Sequence, residues 1–149
     1  MTRYYRDPVE MARAVEAATR RTFVAGVDLG TARDFTAVSV LEVVEAPIVE
    51  MHKPVPKVPD YQVRYDLRYV ERLPLGQDYL AIVQQISSIV NTAPIRGCTL
   101  AVDYSGVGRP VFTMLQEAGL RPLGIQITGG GAWTREGQGF NVSKQIGRA

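Results

Sequence analysis

Thr99-Leu100-Ala101-Val102-Asp103-Tyr104-Ser105-Gly106-Val107-Gly108-Arg109-Pro110-Val111 is the stretch that decides the architecture. It opens with an unbroken apolar run of strand length, passes through a turn with two glycines, and enters a segment of helical spacing that continues to Ala118 and stops at Gly119. A strand that is apolar on both sides is one covered on both faces, as in a parallel sheet. The unit therefore reads as strand, crossover helix and a further parallel strand at Leu123–Thr128.

Working outward, residues 23–28 and 35–45 are rich in Val, Phe and Thr, and the short link Leu29-Gly30-Thr31-Ala32-Arg33-Asp34 reads as a hairpin connection between antiparallel strands. Pro47, Pro54, Pro56 and Pro59 then exclude a sheet interior, because each proline removes a ladder donor, and an exposed loop is expected. From 62 to 73, Val63, Tyr65, Leu67 and Tyr69 alternate with Arg64, Asp66 and Arg68, the period of an edge-side strand with one wet face. Tyr79, Ile82, Val83, Ile86, Ile89 and Val90 recur at helical spacing, and Pro94 bounds that helix. At the N-terminus Asp7 reads as an N-cap, with Pro8 at the first helical position and Glu10 placed to close a capping box, over a helix to about residue 20. Gly129-Gly130-Gly131 opens what reads as a flexible loop to the end of the chain. The sum is an α/β fold with a mixed sheet, three antiparallel strands followed by parallel ones, and helices on its faces.

Two acidic residues stand out within this frame. Asp28 ends the run Phe23-Val24-Ala25-Gly26-Val27, and Asp103 ends Leu100-Ala101-Val102. A carboxylate where an apolar strand surfaces at a turn is desolvated on one side and open on the other, which suits a hard divalent cation. With neighbouring strands, the two would share one cation or bridge two about 3.5–4 Å apart, an arrangement that stabilises the attacking and leaving oxygens in phosphodiester hydrolysis. All-oxygen ligands favour Mg2+ or Mn2+. A strand-end Asp can equally cap its own turn; it is the pair that points to a metal. Asp34 reads as a turn residue or an outer-shell group.

Composition narrows the classes further. With 149 residues, 46% hydrophobic and 21% charged, the chain has enough apolar material for one ordinary folded domain. A net charge of +2 permits contact with a polyanion without being a dedicated basic stripe. Arg3, Arg6, Arg13, Arg20 and Arg21 make the N-terminal segment basic, as a solvated helix face or a phosphate-contacting arm. Cys98 and His52 are the sole residues of their kinds, which excludes a disulfide framework, a thiolate zinc cluster and an easily built Ser-His-Asp triad. There is no secretory h-region and no apolar run near the ~18 residues needed to span a bilayer, so a place in the cytoplasm, here a host cell's, is expected.

Gly26-Val27-Asp28-Leu29-Gly30, Asp34-Phe35-Thr36-Ala37, Val102 to Val111, Ile127-Thr128-Gly129-Gly130 and Val142-Ser143-Lys144 together resemble, in order over residues 22 to 146, the nuclease domain of the large terminase subunit of tailed phages. The most specific element is Asp-x-x-Gly-x-Gly-x-Pro-Val at Asp103. The resemblance implies a ribonuclease H-like fold over 23–149 behind a helical segment at 1–22. It also implies a metal-dependent endonuclease acting on double-stranded viral DNA during packaging, with portal or other packaging proteins as partners and Asp28 and Asp103 as catalytic metal ligands. The family takes a third acidic ligand from a late helix and joins the nuclease to an ATP-hydrolysing motor. Neither an Asp-Asp helix nor a phosphate loop occurs here, and Glu136 is the one acidic residue of the glycine-rich region. The chain is therefore expected to be a fragment, such as a prophage remnant, with an incomplete site that a downstream piece would complete. Gly129, Gly130, Arg135 and Lys144 are candidates for DNA contact, with Trp133 beside them.

Two other classes fit parts of the chain. Asp28-Leu29-Gly30-Thr31 resembles the first phosphate turn of actin- and chaperone-like ATPases, although those need two domains closing on a nucleotide. A non-catalytic remnant that keeps the fold and binds DNA or a packaging partner is the other.

Overall fold

The computed structural model describes residues 4–30, 33–103, 105, 108–129, 134–136 and 139–143. Along the chain run α1 (Pro8–Ala18), β1 (Arg20–Asp28), β2 (Ala37–Pro47), β3 (Tyr61–Arg72), α2 (Tyr79–Val90), β4 (Thr99–Asp103), α3 (Gly108–Glu117), β5 (Leu123–Thr128), β6 (Thr134–Glu136) and β7 (Gly139–Ser143). The strands form a seven-stranded mixed sheet in the order β3-β2-β1-β4-β5-β7-β6. This is the α/β architecture that the strand-turn-helix unit at Thr99 requires. β4 and β5 are parallel and joined through α3, and β1 pairs parallel with β4.

β2 and β3 run antiparallel, since Leu73 N–H donates to the Thr36 carbonyl at 2.8 Å at one end and Ile48 N–H to that of Asp60 at 2.8 Å at the other. β3 lies at the sheet edge as expected, but the single wet face is corrected: Val63, Tyr65, Leu67 and Tyr69 are exposed along with Arg64 and Arg68, because among the described residues nothing covers the apolar side of this edge strand. Contacts within the chain gather into two units, Met1–Thr22 with Glu42–Asp66 and Phe23–Leu41 with Leu67–Ala149.

In the second unit the core forms on one side of the sheet. Ala25 and Val27 of β1, Val38 and Val40 of β2, and Leu100 and Val102 of β4 are alternate residues, so they share a face. Ile82, Val83, Ile86 and Val90 of α2, with Val111 and Leu115 of α3, close over them. Asp78 caps α2 by accepting from the Ala81 N–H at 2.8 Å. α3 stops at Gly119, where φ is +81°, a conformation that costs glycine nothing. The bonds there are those of a Schellman end: Leu120 N–H to the Leu115 carbonyl and Gly119 N–H to that of Gln116, both at 3.0 Å.

In the first unit, Asp7 caps α1 by accepting from the Val9 N–H at 2.9 Å, with Pro8 at the first position. No residue of α1 is buried, in keeping with its alanine-rich apolar side. Glu42, 7% exposed, is paired with Arg21 at 3.6 Å. The proline-rich link carries only an isolated bridge, Tyr4 to Pro54.

Two further expectations are corrected. Pro47 is the last residue of β2 and not part of the loop, a position where proline forfeits little of the ladder. The region after Thr128 is not all loop: β7 pairs parallel with β5 from Gly124↔Gly139 to Thr128↔Ser143, and β6 pairs antiparallel with β7. Its glycines conceal a strand whose stability comes from a neighbour distant in sequence.

Leu115 is fully buried and Val9 is 55% exposed. Leu115→Ala is expected to cost about 2–5 kcal/mol in urea unfolding, and Val9→Ala no more than about 0.5 kcal/mol. A comparable loss at both positions would contradict the one-sided core.

Candidate metal centre

β1 and β4 pair in the register Val24↔Thr99, Ala25↔Leu100, Gly26↔Ala101, Val27↔Val102 and Asp28↔Asp103. Registered neighbours on parallel strands lie about 4.8 Å apart and turn their side chains to the same face. Val27 and Val102 point into the helix-covered core, so Asp28 and Asp103 point the other way. On that face Asp28, Asp103, Gly26, Ser39, Ala101 and Ile125 line a groove of about 350 Å³ that belongs wholly to the second unit. Gly26, Ala37, Ser39 and Ala101 contribute small residues to it beside the larger Val70 and Ile127, and the two carboxylates come from the last residues of their strands.

The pair is held differently on its two sides. Asp103 is half-buried, and its Oδ1 accepts from the Ser105 N–H at 2.9 Å, an Asx turn that fixes the carboxylate plane. Ser105 Oγ accepts in turn from the Ile127 N–H at 3.3 Å, tying the turn to β5. Ser105 thus positions Asp103, a role that only the residue's place two positions after an Asp hinted at. Asp103 Oδ2 has no partner among the described residues. Asp28 is exposed, and among the described residues its carboxylate accepts no hydrogen bond and forms no ion pair.

The turn after Asp28 is built on Gly30. A Cβ there would come within 2.1 Å of the Asp34 carbonyl oxygen and 2.5 Å of the Phe35 carbonyl carbon, so the two limbs of the turn approach too closely for any side chain. Gly30 N–H donates to Thr36 Oγ1 at 3.2 Å, closing the turn. Asp34 lines a second cavity, with Gly30, Thr36 and Gln77, and does not line the groove of the acidic pair.

Among the other sequence candidates, Gly129 directly follows β5, where a Cβ would meet nothing within 4 Å, so packing does not demand glycine. Arg135 is exposed on β6, the far edge strand. Three strand spacings separate β6 from β4, about 14 Å, so Arg135 is not beside the acidic pair. Gly130, Trp133 and Lys144 lie outside the described residues, as does the side chain of Glu136. Cys98 packs against the core, and its burial pushes the thiol pKa up, which keeps it protonated and unreactive near neutral pH.

Chemically, two carboxylates on one face form a hard, dianionic donor set that fits Mg2+ or Mn2+. No group of three or more His, Cys, Asp or Glu side chains that could hold a metal occurs among the described residues. Two carboxylates meet the ordinary requirement for Mg2+, which keeps several waters and takes further oxygens from a phosphate substrate.

Like charges directly opposite on paired strands repel. Asp28→Asn is therefore expected to stabilise the metal-free chain in EDTA by about 0.2–1 kcal/mol at low salt, with the gain shrinking as salt screens the pair. Thermal unfolding at two ionic strengths measures this, and a destabilised variant would mean that the carboxylates are not neighbours. Gly30→Ala is expected to cost about 1–3 kcal/mol through the clash with residues 34 and 35.

No protein-family model, curated protein or solved structure matches the chain, so the reading of this site stands on its own geometry.

Proposed function

We propose that the chain is a metal-dependent phosphodiesterase domain of the terminase nuclease type, acting on double-stranded DNA in the packaging of a viral genome. The observation that carries the reading is the register Asp28↔Asp103, which sets two carboxylates side by side in an open groove on a mixed α/β sheet. Mg2+ or Mn2+ held there would supply charge stabilisation for a phosphoryl oxygen and the attacking and leaving groups.

The residues of the chain do the positioning. Asp103, held by the Ser105 N–H, is the rigid ligand. Asp28, with no partner among the described residues, is the adjustable one. The small side chains of Gly26, Ala37 and Ala101 let a polymer backbone come close to both. With no group of three ligating side chains among the described residues, affinity for the cation is modest without substrate, and a partner or a further segment of the protein that adds an acidic side chain would raise it. Portal and other packaging proteins are the natural partners of such a domain. Among the described residues no helix is long and apolar enough to cross a membrane.

The same shortage of ligands favours a second reading, in which the fold is kept as a DNA- or partner-binding module without cleavage. Mn2+ titration separates the two. Wild-type chain is expected to bind Mn2+, and Asp28→Asn or Asp103→Asn to weaken that binding by at least about tenfold. Nicking of supercoiled plasmid by the chain alone is expected to be slow or nil, and any nicking to vanish in both variants. Binding of Mn2+ that is equal in wild type and variants would sink the metal reading. DNA binding that survives both substitutions, with no nicking under any condition, would leave the binding module.

A further inference from the structure

The edge of the sheet at β3 carries exposed apolar and charged side chains together. Nearly all of Tyr61–Arg72 is exposed, and Val63, Tyr65 and Leu67 are 43%, 67% and 60% exposed. Long exposed apolar edges are open to pairing with another strand.

We propose that this edge pairs with the same edge of a second copy, antiparallel and centred on Tyr65, giving a two-fold dimer with a continuous sheet. The choice of a second copy rests on the pattern of charge. Arg64 and Asp66 flank Tyr65 and already lie together within one chain, with Arg64 Nη2 3.0 Å from Asp66 Oδ2. Reversal of the strand about Tyr65 sets Arg64 opposite Asp66 of the second copy, and Asp66 opposite its Arg64. The four charges close into an alternating ring with no like pair directly opposed. On the other face, the same reversal sets Tyr65 opposite Tyr65 and Val63 opposite Leu67, both favourable cross-strand pairs.

Centring the axis on Asp66 or Arg64 instead would oppose identical charges, and centring it on Leu67, which also opposes Asp66 to Arg68, would set Arg64 against Val70 and Val63 against Glu71, so charge and apolar pairing together favour Tyr65. The contact is isologous and closes on itself, and therefore yields a dimer and not a filament. A ladder this short is small beside a standard interface of about 1,600 Å², so the dimer is reversible and forms at high protein concentration. It is independent of the acidic pair and persists in EDTA and in Asp28→Asn.

The test is sedimentation equilibrium with charge exchange. Asp66→Arg is expected to raise the dimer Kd by about tenfold or more, because it sets arginines opposite one another, and Arg64→Asp added to it is expected to restore the dimer. Cross-linking reads the register independently of stability. In a Cys98→Ala background, Tyr65→Cys is expected to oxidise to a disulfide-linked dimer, since residues on the axis meet within disulfide reach, whereas Arg64→Cys is not. A chain that stays monomeric at millimolar concentration overturns the proposal. So does a dimer that ignores the charge exchange, or one that cross-links at position 64 and not at 65, because its interface lies elsewhere.

Discussion

The rest of the site depends on one backbone constraint, the in-register parallel pairing of β1 with β4. The two strands are far apart in sequence, and β1 from Phe23 and β4 from Leu100 are apolar until the last residue, which is Asp in both. Once Val27 and Val102 are committed to the core beneath the helices, the alternation of a pleated strand leaves Asp28 and Asp103 no choice of side. A slip of one residue would bury a carboxylate against Ile86 and Leu115 and expose a valine, a loss no turn could offset. Hydrophobic burial thus holds the acidic residues together, even though their charges repel.

That ordering of energies explains how the sheet is divided. One face of the second unit carries the fully buried side chains and both of its helices, while the opposite face offers small residues and a groove. A site built on strand ends over a packed core gains rigidity from packing that the ligands themselves could not supply. Ser105 shows the same economy on a smaller scale. Its backbone orients Asp103, and its side chain accepts a β5 N–H that would otherwise end the strand unpaired.

Much of this was legible beforehand, and the reason differs by element. Thr99–Asp103 and Leu123–Thr128 were found with their observed limits because a buried parallel strand is a short apolar run between turn residues. The first cap was visible in Asp7-Pro8, and the end of α3 in Gly119, because each depends on chemistry local to the residue. β1 begins earlier than its apolar pattern, at Arg20, since polar Arg20, Arg21 and Thr22 give no hydrophobic period to read. β7 was missed for a deeper reason. Gly139-Phe140-Asn141-Val142-Ser143 has weak propensity of its own, and what makes it a strand is the prior existence of β5 beside it. The nearness of Asp28 and Asp103 was an inference from strand order, whereas the Ser105 brace and the crowding by the Asp34 carbonyl that leaves no room for a Cβ at Gly30 belong to tertiary geometry and leave no spacing signal.

The unequal bracing of the two carboxylates bears on what the pair can do. A ligand whose oxygen is already engaged by a backbone N–H keeps its plane when a cation arrives, and so defines where the cation sits. A ligand with no partner among the described residues can turn to meet it, at the expense of its own rotamer freedom alone. One rigid and one adjustable carboxylate therefore suit a cation that enters and leaves with its waters and completes its coordination on a phosphate oxygen. Two rigid ligands at this separation would suit a permanently held ion better. On the proposed metal-dependent reading, the asymmetry between Asp28 and Asp103 suits a centre assembled together with its substrate, which would lie in the groove along one face of the sheet.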